Sequence, residues 1–191
     1  IVLLEQQQYT DALKVLHSLE KSLSDPAQLS SLFAIAYLGQ GYQLLAIREF
    51  SAARDSFRSG RSYNEEDVRL WRGEAMTFYM QGKYSAAASL LDQAIGIDPE
   101  NPRVYHLLGK AYYADGRLSE AIDALQRSLE HGGGEHVAAF LDKVRREQQI
   151  EAEMQEEYRG HFQLSFEDGE HASAVASEIL ETLEDAYLEV G

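Results

Sequence analysis

The sequence predicts an all-α fold in which helical hairpins stack into a right-handed α-solenoid. The first observation is a repeat of fixed length, since Trp71 and Gly82 recur 34 residues later as Tyr105 and Gly116. The second is helical spacing, because the apolar and small residues of each copy form two amphipathic runs. The third is the glycine between the runs, which can adopt the positive φ at which a helix often ends. Together these features indicate one supersecondary unit that is copied and stacked.

The two clearest copies span residues 68–101 and 102–135. Their matched positions are Trp71, Ala75, Phe78, Gly82, Ala87, Leu91 and Ala94 in the first copy, and Tyr105, Gly109, Tyr112, Gly116, Ala121, Leu125 and Ser128 in the second. The small residues let two helix backbones approach closely, while the large ones fill the wider gaps around them. Trp71 and Tyr105 are therefore expected to be mostly buried between hairpins.

These positions resemble the tetratricopeptide repeat, a helix–turn–helix unit of this length with this order of aromatic, small and aliphatic residues. The second copy carries the pattern Tyr105-x-x-Leu108-Gly109-x-x-Tyr112, followed by Ala121-x-x-x-Leu125. The first copy departs from the family at Glu74, where leucine is preferred, but keeps the closing Pro99. The resemblance implies a solenoid that holds a partner protein or peptide in a concave groove.

Two less regular repeats precede this pair. Residues 1–23 are predicted to be a partial repeat, with Tyr9 and Ala12 in the positions of Phe50 and Ala53. Residues 24–67 are predicted to be a lengthened, degenerate repeat, whose first helix opens at Ser24-Asp25-Pro26 with a capping residue followed by proline. The solenoid is therefore expected to cover residues 1–134.

A change of architecture is predicted after the glycines at 132–134, which stop the preceding helix. Residues 135–158 are expected to form one helix, whose first half caps the solenoid and whose charged second half is a connector. Phe162, Leu164 and Phe166 alternate with polar residues and predict one short strand. A final helix should follow, with Val175 and Ile179 on its apolar stripe.

Residues 160–191 are accordingly interpreted as an incomplete strand–helix segment of a second domain, because residues 1–158 show no other strand signal. The runs 160–166 and 183–187 resemble the start of the gluzincin-type (peptidase MA-like) metallopeptidase domains that often follow tetratricopeptide repeats in bacterial proteins. The resemblance includes no zinc-binding or catalytic residue. It implies an alternative function, the non-catalytic N-terminal part of a larger zinc metallopeptidase-like protein with its active site beyond residue 191. An unpaired strand would also favour a homodimer through this segment.

Composition narrows the partners. The net charge of −15 disfavours nucleic acid, whose phosphates an acidic protein repels. No apolar run is long enough to span a membrane, and the apolar residues 1–4 are too few for a signal peptide. The absence of cysteine excludes disulfides and thiolate metal sites, and it fits the cytosol or a bacterial envelope compartment equally well.

No catalytic or metal-binding site is predicted. His131, Glu135 and His136 flank glycines and have no third ligand at a fixed spacing, so a chance grouping is the favoured interpretation. The sequence also contains no HExxH zinc motif, no glycine-rich phosphate loop and no nucleophile elbow. We therefore expect a protein without enzymatic activity and without a cofactor.

The predicted binding surface is the side of each first helix that faces the groove of the solenoid. Its residues are Tyr42, Arg69, Arg72, Met76, Tyr79, Met80, Arg103, His106, Lys110 and Tyr113. Arginine interspersed with tyrosine and methionine is typical of surfaces that recognise peptides, so an acidic partner or one with a free carboxylate is expected. Alternatively, the arginines neutralise nearby acids such as Glu66 and Asp67. Some chaperone-binding members of the family clamp a terminal carboxylate with paired asparagines and basic residues. This chain departs from that clamp, because Met76 stands near where one of the asparagines would be.

Overall fold

A computed structural model describes residues 2–5, 8–20, 26–160, 162–167 and 172–190, and the chain divides into two compact units, residues 1–141 and 142–191. The helices of the first unit are α1 (Val2–Glu5), α2 (Tyr9–Leu19), α3 (Pro26–Ala46), α4 (Phe50–Tyr63), α5 (Val68–Met80), α6 (Tyr84–Ile97), α7 (Pro102–Ala114), α8 (Leu118–Glu130) and the start of α9 (Glu135–Glu153). The second unit holds the rest of α9, the strands β1 (Met154–Arg159) and β2 (Phe162–Glu167), and the helix α10 (Ala172–Val190).

The first unit is a row of helical hairpins. Helices α3 and α4, α5 and α6, and α7 and α8 pack in pairs, and α4 and α6 each pack on the first helix of the next pair. Gly82 and Gly116 have φ of 73° and 76° and follow the ends of α5 and α7. These observations confirm the predicted all-α solenoid of stacked hairpins. The predicted cap at Ser24-Asp25 lies outside the described residues.

Polar caps determine where the first helices begin. Asp67 accepts a hydrogen bond from the backbone N–H of Arg69 at 3.1 Å, at the start of α5. Asn101 accepts from the backbone N–H of Arg103 at 3.1 Å and from that of Val104 at 3.3 Å, at the start of α7. Such caps satisfy N–H groups that have no partner inside a helix. Each of these two helices therefore starts with a capping side chain and carries an arginine two residues later.

Close helix contacts explain the small residues of the repeat. Leu125 of α8 is fully buried, and a Cβ added to Gly109 of α7 would lie only 2.6 Å from its Cγ. Phe57 of α4 is also fully buried, and a Cβ on Gly41 or on Gly73 would clash with its ring. Glycine is therefore required where the first helix of a hairpin touches a large side chain of a second helix.

The two aromatic residues expected between hairpins differ in burial. Tyr105 is buried, as expected. Trp71 is only half-buried: its indole N–H donates to the backbone oxygen of Glu65 at 2.8 Å, and the guanidinium of Arg61 lies 3.8 Å from its ring centroid. The guanidinium of Arg61 therefore covers part of the Trp71 ring.

Glu74 is a charged residue inside the solenoid. It is fully buried and accepts a hydrogen bond from Nε of Arg58 at 2.6 Å, while Nη2 of Arg61 lies 2.8 Å from its other carboxylate oxygen. Both arginines belong to α4, whereas Glu74 belongs to α5. A buried carboxylate is tolerated when cations and hydrogen bonds compensate for its lost hydration. The departure from the family's leucine is thus an ion-pair link between two neighbouring hairpins.

The prediction of one helix from Glu135 to Tyr158 and a single strand after it is wrong. Helix α9 ends at Glu153, and β1 pairs antiparallel with β2 from Met154↔Glu167 to Arg159↔Phe162. Gly160 has φ of 55° in the two-residue connection between them, a conformation typical of tight hairpins. The polar run of β1 has little strand character of its own. It becomes a strand because it satisfies the backbone groups of β2, a tertiary effect that outweighs local propensity.

Helix α10 forms where it was expected, but a different face of it is buried. Ala176 and Leu180 are buried, whereas Val175 and Ile179 of the predicted stripe are 52% and 43% exposed. The ring of Tyr187 lies edge-on to that of Phe162, with centroids 6.0 Å apart, so the hairpin contacts the neighbouring side of the helix. The small side chain of Ala176 suits this close approach. No helix of the described segments is long and apolar enough to cross a membrane.

The close contact at Gly109 predicts opposite effects for two equal substitutions. Gly109→Ala should lower the free energy of unfolding by about 1–3 kcal/mol, because Leu125 and the backbone oxygen of Ala121 must move. Gly96→Ala, in open space on α6, should raise it by about 0.5–1 kcal/mol through helix propensity. Urea denaturation of both variants measures the two changes in the free energy of unfolding. Equal stability of the two variants would contradict the packing.

The buried ion pair predicts strong coupling between two hairpins. Arg61→Met leaves Glu74 with one arginine that is half-exposed, and it should destabilise the protein by about 3 kcal/mol. Adding Glu74→Leu to this variant should restore most of the loss, because the unpaired charge is gone and the family's residue is back. A double-mutant cycle by urea denaturation tests it. Additive effects of the two substitutions would show that the pair is not an energetic link.

Candidate peptide-binding groove

The first helices of successive hairpins present one continuous surface, which we call the first-helix face. Helices α3 and α5 meet where Nη2 of Arg72 donates to the hydroxyl of Tyr42 at 3.4 Å. Helices α5 and α7 meet where Nζ of Lys110 lies 5.3 Å from the ring centroid of Tyr79. Residues predicted from three different helices are thus brought into contact in pairs.

The start of α9 extends this face beyond α7. The rings of His106 and His136 lie 5.0 Å apart, and those of Tyr113 and Phe140 lie 5.2 Å apart, each pair meeting edge to face. His136 and Phe140 were missed as site residues. Phe140 could have been found by adding one 34-residue period to His106, but the period gives no signal for His136.

Two of the predicted site residues serve packing as well as the surface. Met76 is half-buried and packs against the cores on both sides of α5. Met80, at the end of the same helix, is 39% exposed. Tyr79 is half-buried, and its ring also lies near that of Tyr84, with centroids 5.6 Å apart. The apolar part of the face is therefore partly anchored in the solenoid core.

Arg69 behaves as the neutralising alternative predicts. Its Nε and Nη2 donate to the two carboxylate oxygens of Asp67 at 2.8 and 2.6 Å. Burial alone would raise the pKa of Asp67, but the hydrogen bonds from Arg69 bring it below its usual value. Arg69 is therefore engaged in a local ion pair and contributes little free positive charge to the face.

Arg72 and Arg103 differ from Arg69 in this respect. Both line a cavity of about 380 Å³ between the beginnings of α5 and α7, together with Arg69, Glu66 and Asp67. Within the described ranges, no carboxylate lies within salt-bridge distance of Arg72 or Arg103. The cavity thus holds three guanidinium groups and two carboxylates. Because a guanidinium can donate two parallel hydrogen bonds, this arrangement can bind an incoming carboxylate.

The other end of the face is an imidazole cluster beside aromatic rings. His106 is half-buried, and burial together with the nearby His136 and Lys110 lowers its pKa below the usual value. Lys110 has no carboxylate partner within salt-bridge distance in the described part of the chain. No three histidine, aspartate or glutamate side chains of the described residues are grouped as metal ligands. The chemistry available here is hydrogen bonding and charge.

The fold and the face define a helical-repeat scaffold of the kind that binds proteins. Models of the tetratricopeptide repeat match residues 38–102 and 78–144, which together make up more than half of the chain. Residues 38–144 therefore belong to the tetratricopeptide repeat family.

Similar proteins agree with this assignment. The small glutamine-rich tetratricopeptide repeat-containing protein 2 of Mycosarcoma maydis is 26% identical over 91 residues, which cover 48% of this chain and 26% of that protein. The matched segment therefore spans about a quarter of that relative's length. The Sgt2 TPR domain from Aspergillus fumigatus has a TM-score of 0.61 at 19% identity, covering 74% of this chain and 93% of that one.

A further similar structure is the first TPR of Spaghetti (RPAP3), solved with an HSP90 peptide of sequence SRMEEVD. Its TM-score is 0.57 at 20% identity, covering 61% of this chain and 93% of that one. At this level of identity the likeness concerns the fold.

Proposed function

We propose that the protein is a protein–protein interaction scaffold whose first-helix face binds a peptide segment of a partner. The partner segment is acidic or ends in a free carboxylate. The observation that carries this proposal is the pair Arg72 and Arg103, which line one cavity and have no carboxylate within salt-bridge distance among the described residues. In a protein of net charge −15, such cations provide a local site for an anion.

The rest of the face suits a peptide backbone and its apolar side chains. Tyr42, Tyr79 and Tyr113 are half-buried, so each offers an apolar ring surface to a ligand. Met76 and Met80 add flexible, polarisable surface beside them. Aromatic and methionine side chains around a few fixed charges are common at protein interfaces. We infer that apolar ligand side chains contact Met76 and Tyr79 while the carboxylate lies at the arginines.

A relative supports the choice of an acidic ligand. The peptide bound by the Spaghetti (RPAP3) repeat, SRMEEVD, ends with three acidic residues among its last four. Since that likeness shows the fold alone, the peptide serves here as a probe of the proposed chemistry. The partner of this chain is defined by that chemistry and not by the relative's partner.

Charge reversal at the arginine cavity tests the proposal. Fluorescein-labelled SRMEEVD should bind the full chain, and Arg72→Glu with Arg103→Glu should weaken binding more than tenfold. Hydrogen bonds to charged groups contribute about 1.5–3 kcal/mol each, and a tenfold loss corresponds to about 1.4 kcal/mol. Fluorescence anisotropy measures the affinity, and circular dichroism checks that helicity is unchanged.

The matched control is the pair Arg145→Glu and Arg146→Glu, which makes the same change in net charge at two exposed residues of α9. This control should bind the peptide nearly as well as the natural chain, and a C-terminally amidated peptide should bind the natural chain more weakly. Equal losses in the two double variants would mean that net charge and not the cavity drives binding. Unaltered binding in Arg72→Glu/Arg103→Glu would refute the site.

The interpretation of residues 160–191 as the opening of a metallopeptidase-like domain stays a prediction, because the matched family models end at residue 144. The domain boundaries at 134 and 158 and a homodimer through this segment also stay predictions. An unpaired strand no longer favours this homodimer, since β2 pairs with β1 within the chain. A longer gene sequence with an HExxH motif after Gly191 would support the metallopeptidase relationship, and a continuation without it would count against it.

A further inference from the structure

We propose that His106, His136 and Lys110 form a second anion subsite, which binds an acidic side chain of the ligand and takes up protons as it does so. This proposal rests on the proposed function, because the same ligand places its terminal carboxylate at Arg72 and Arg103. It adds His136 to the face and requires a ligand with two separate anionic groups.

The geometry of the cluster fits a small anion. The two imidazole rings lie 5.0 Å apart with an angle of 66° between their planes, so they do not stack face to face. Lys110 follows His106 by one helical turn on α7, which puts both side chains on the same side of the helix. The rings of Tyr113 and Phe140 contact each other between the same two helices. His106 thus has a second imidazole beside it from α9 and an ammonium group near it from the next turn of α7.

The groups around His106 are positively charged or neutral. On its own helix the nearby charged group is Lys110, from α9 the facing group is His136, and α5 contributes the neutral ring of Tyr79 below the Lys110 ammonium. No carboxylate of the described segments lies within salt-bridge distance of either imidazole. Protonation of His106 would therefore place a half-buried cation next to another cation. Burial and these neighbours therefore lower the pKa of His106 and favour its neutral form in the free protein.

A bound carboxylate reverses this preference. It supplies the negative charge that the cluster lacks, so it favours the protonated form of His106. By linkage, a ligand that raises the pKa of a group must bind more tightly as the pH falls through that pKa. Ligand binding to this face should therefore strengthen between pH 7.5 and pH 5.5. The carboxylates of the peptide stay ionised over this range, since their ordinary pKa values lie near 4.

Calorimetry of the full chain with SRMEEVD tests the subsite. At pH 6.5 the observed heat should differ between MES and Bis-Tris, two buffers with different heats of ionisation, and show net proton uptake. The affinity should rise by about three- to tenfold from pH 7.5 to pH 5.5. His106→Gln combined with His136→Gln should lose both the proton uptake and the gain in affinity between pH 7.5 and pH 5.5. His17→Gln, a substitution on α2, should retain both.

Two further results separate the subsite from the proposed function. Binding with no proton uptake and equal affinity at the two pH values would overturn the subsite and leave the arginine site intact. No binding at either pH would overturn the proposed function and the subsite together. A peptide with all three acidic side chains replaced by amides, SRMQQVN, keeps its terminal carboxylate and should bind without proton uptake. Unchanged uptake with this peptide would contradict the assignment of the subsite to an acidic side chain.

Discussion

The close contact of helices at glycine and large apolar side chains is the constraint on which the repeat unit depends. Phe57 packs so closely on Gly41 and Gly73 that neither glycine has room for a Cβ atom. Leu125 packs in the same way on Gly109. These contacts fix how far one helix can slide or rotate on its neighbour, because protein interiors are packed without spare volume. The outward side of each first helix is fixed at the same time.

This constraint produces a surface on which equivalent positions recur at a fixed spacing. Leu38, Arg72, His106 and Phe140 are 34 residues apart from one another and occupy the same position in successive first helices. The character of this position changes along the solenoid from apolar to cationic, titratable and aromatic. A peptide lying along the face would therefore meet a different chemistry at each hairpin. Specificity in such a scaffold comes from the residues at repeated positions and not from a special loop.

Glu74 shows how one repeat can depart from its family's pattern without losing the fold. The carboxylate stands where a leucine would fill the core, and two arginines of the neighbouring helix compensate for it. Arg61 also lies over the ring of the half-buried Trp71. The arginine that compensates for Glu74 therefore also covers part of the aromatic residue of the same repeat. Arginines in this acidic protein therefore differ in their surroundings. Arg58 and Arg61 link two hairpins through Glu74, whereas Arg72 and Arg103 have no carboxylate within salt-bridge distance among the described residues.

The repeat period could be read from the sequence because every copy repeats the same packing problem. The same period predicts where most of the first-helix face lies, and the sequence also pointed to Asp67 as a neutralising acid without showing that its partner is Arg69. That pairing depends on the local geometry of the cap at the start of α5, and several different residue types can form such a cap. Strand β1 and the buried side of α10 were predicted wrongly for a different reason. Both are determined by contacts within residues 142–191, where no repeat reports which faces meet.

The most direct test of peptide binding at the first-helix face uses the three methionines of the chain, Met76, Met80 and Met154. Met76 and Met80 lie on α5 of the first-helix face, and Met154 begins β1 in the second unit. The full chain labelled with ¹³C-methyl methionine should be titrated with SRMEEVD and followed by NMR. Binding at the face predicts that the Met76 methyl resonance shifts with saturation. Saturable binding that leaves Met76 and Met80 unshifted would contradict the account.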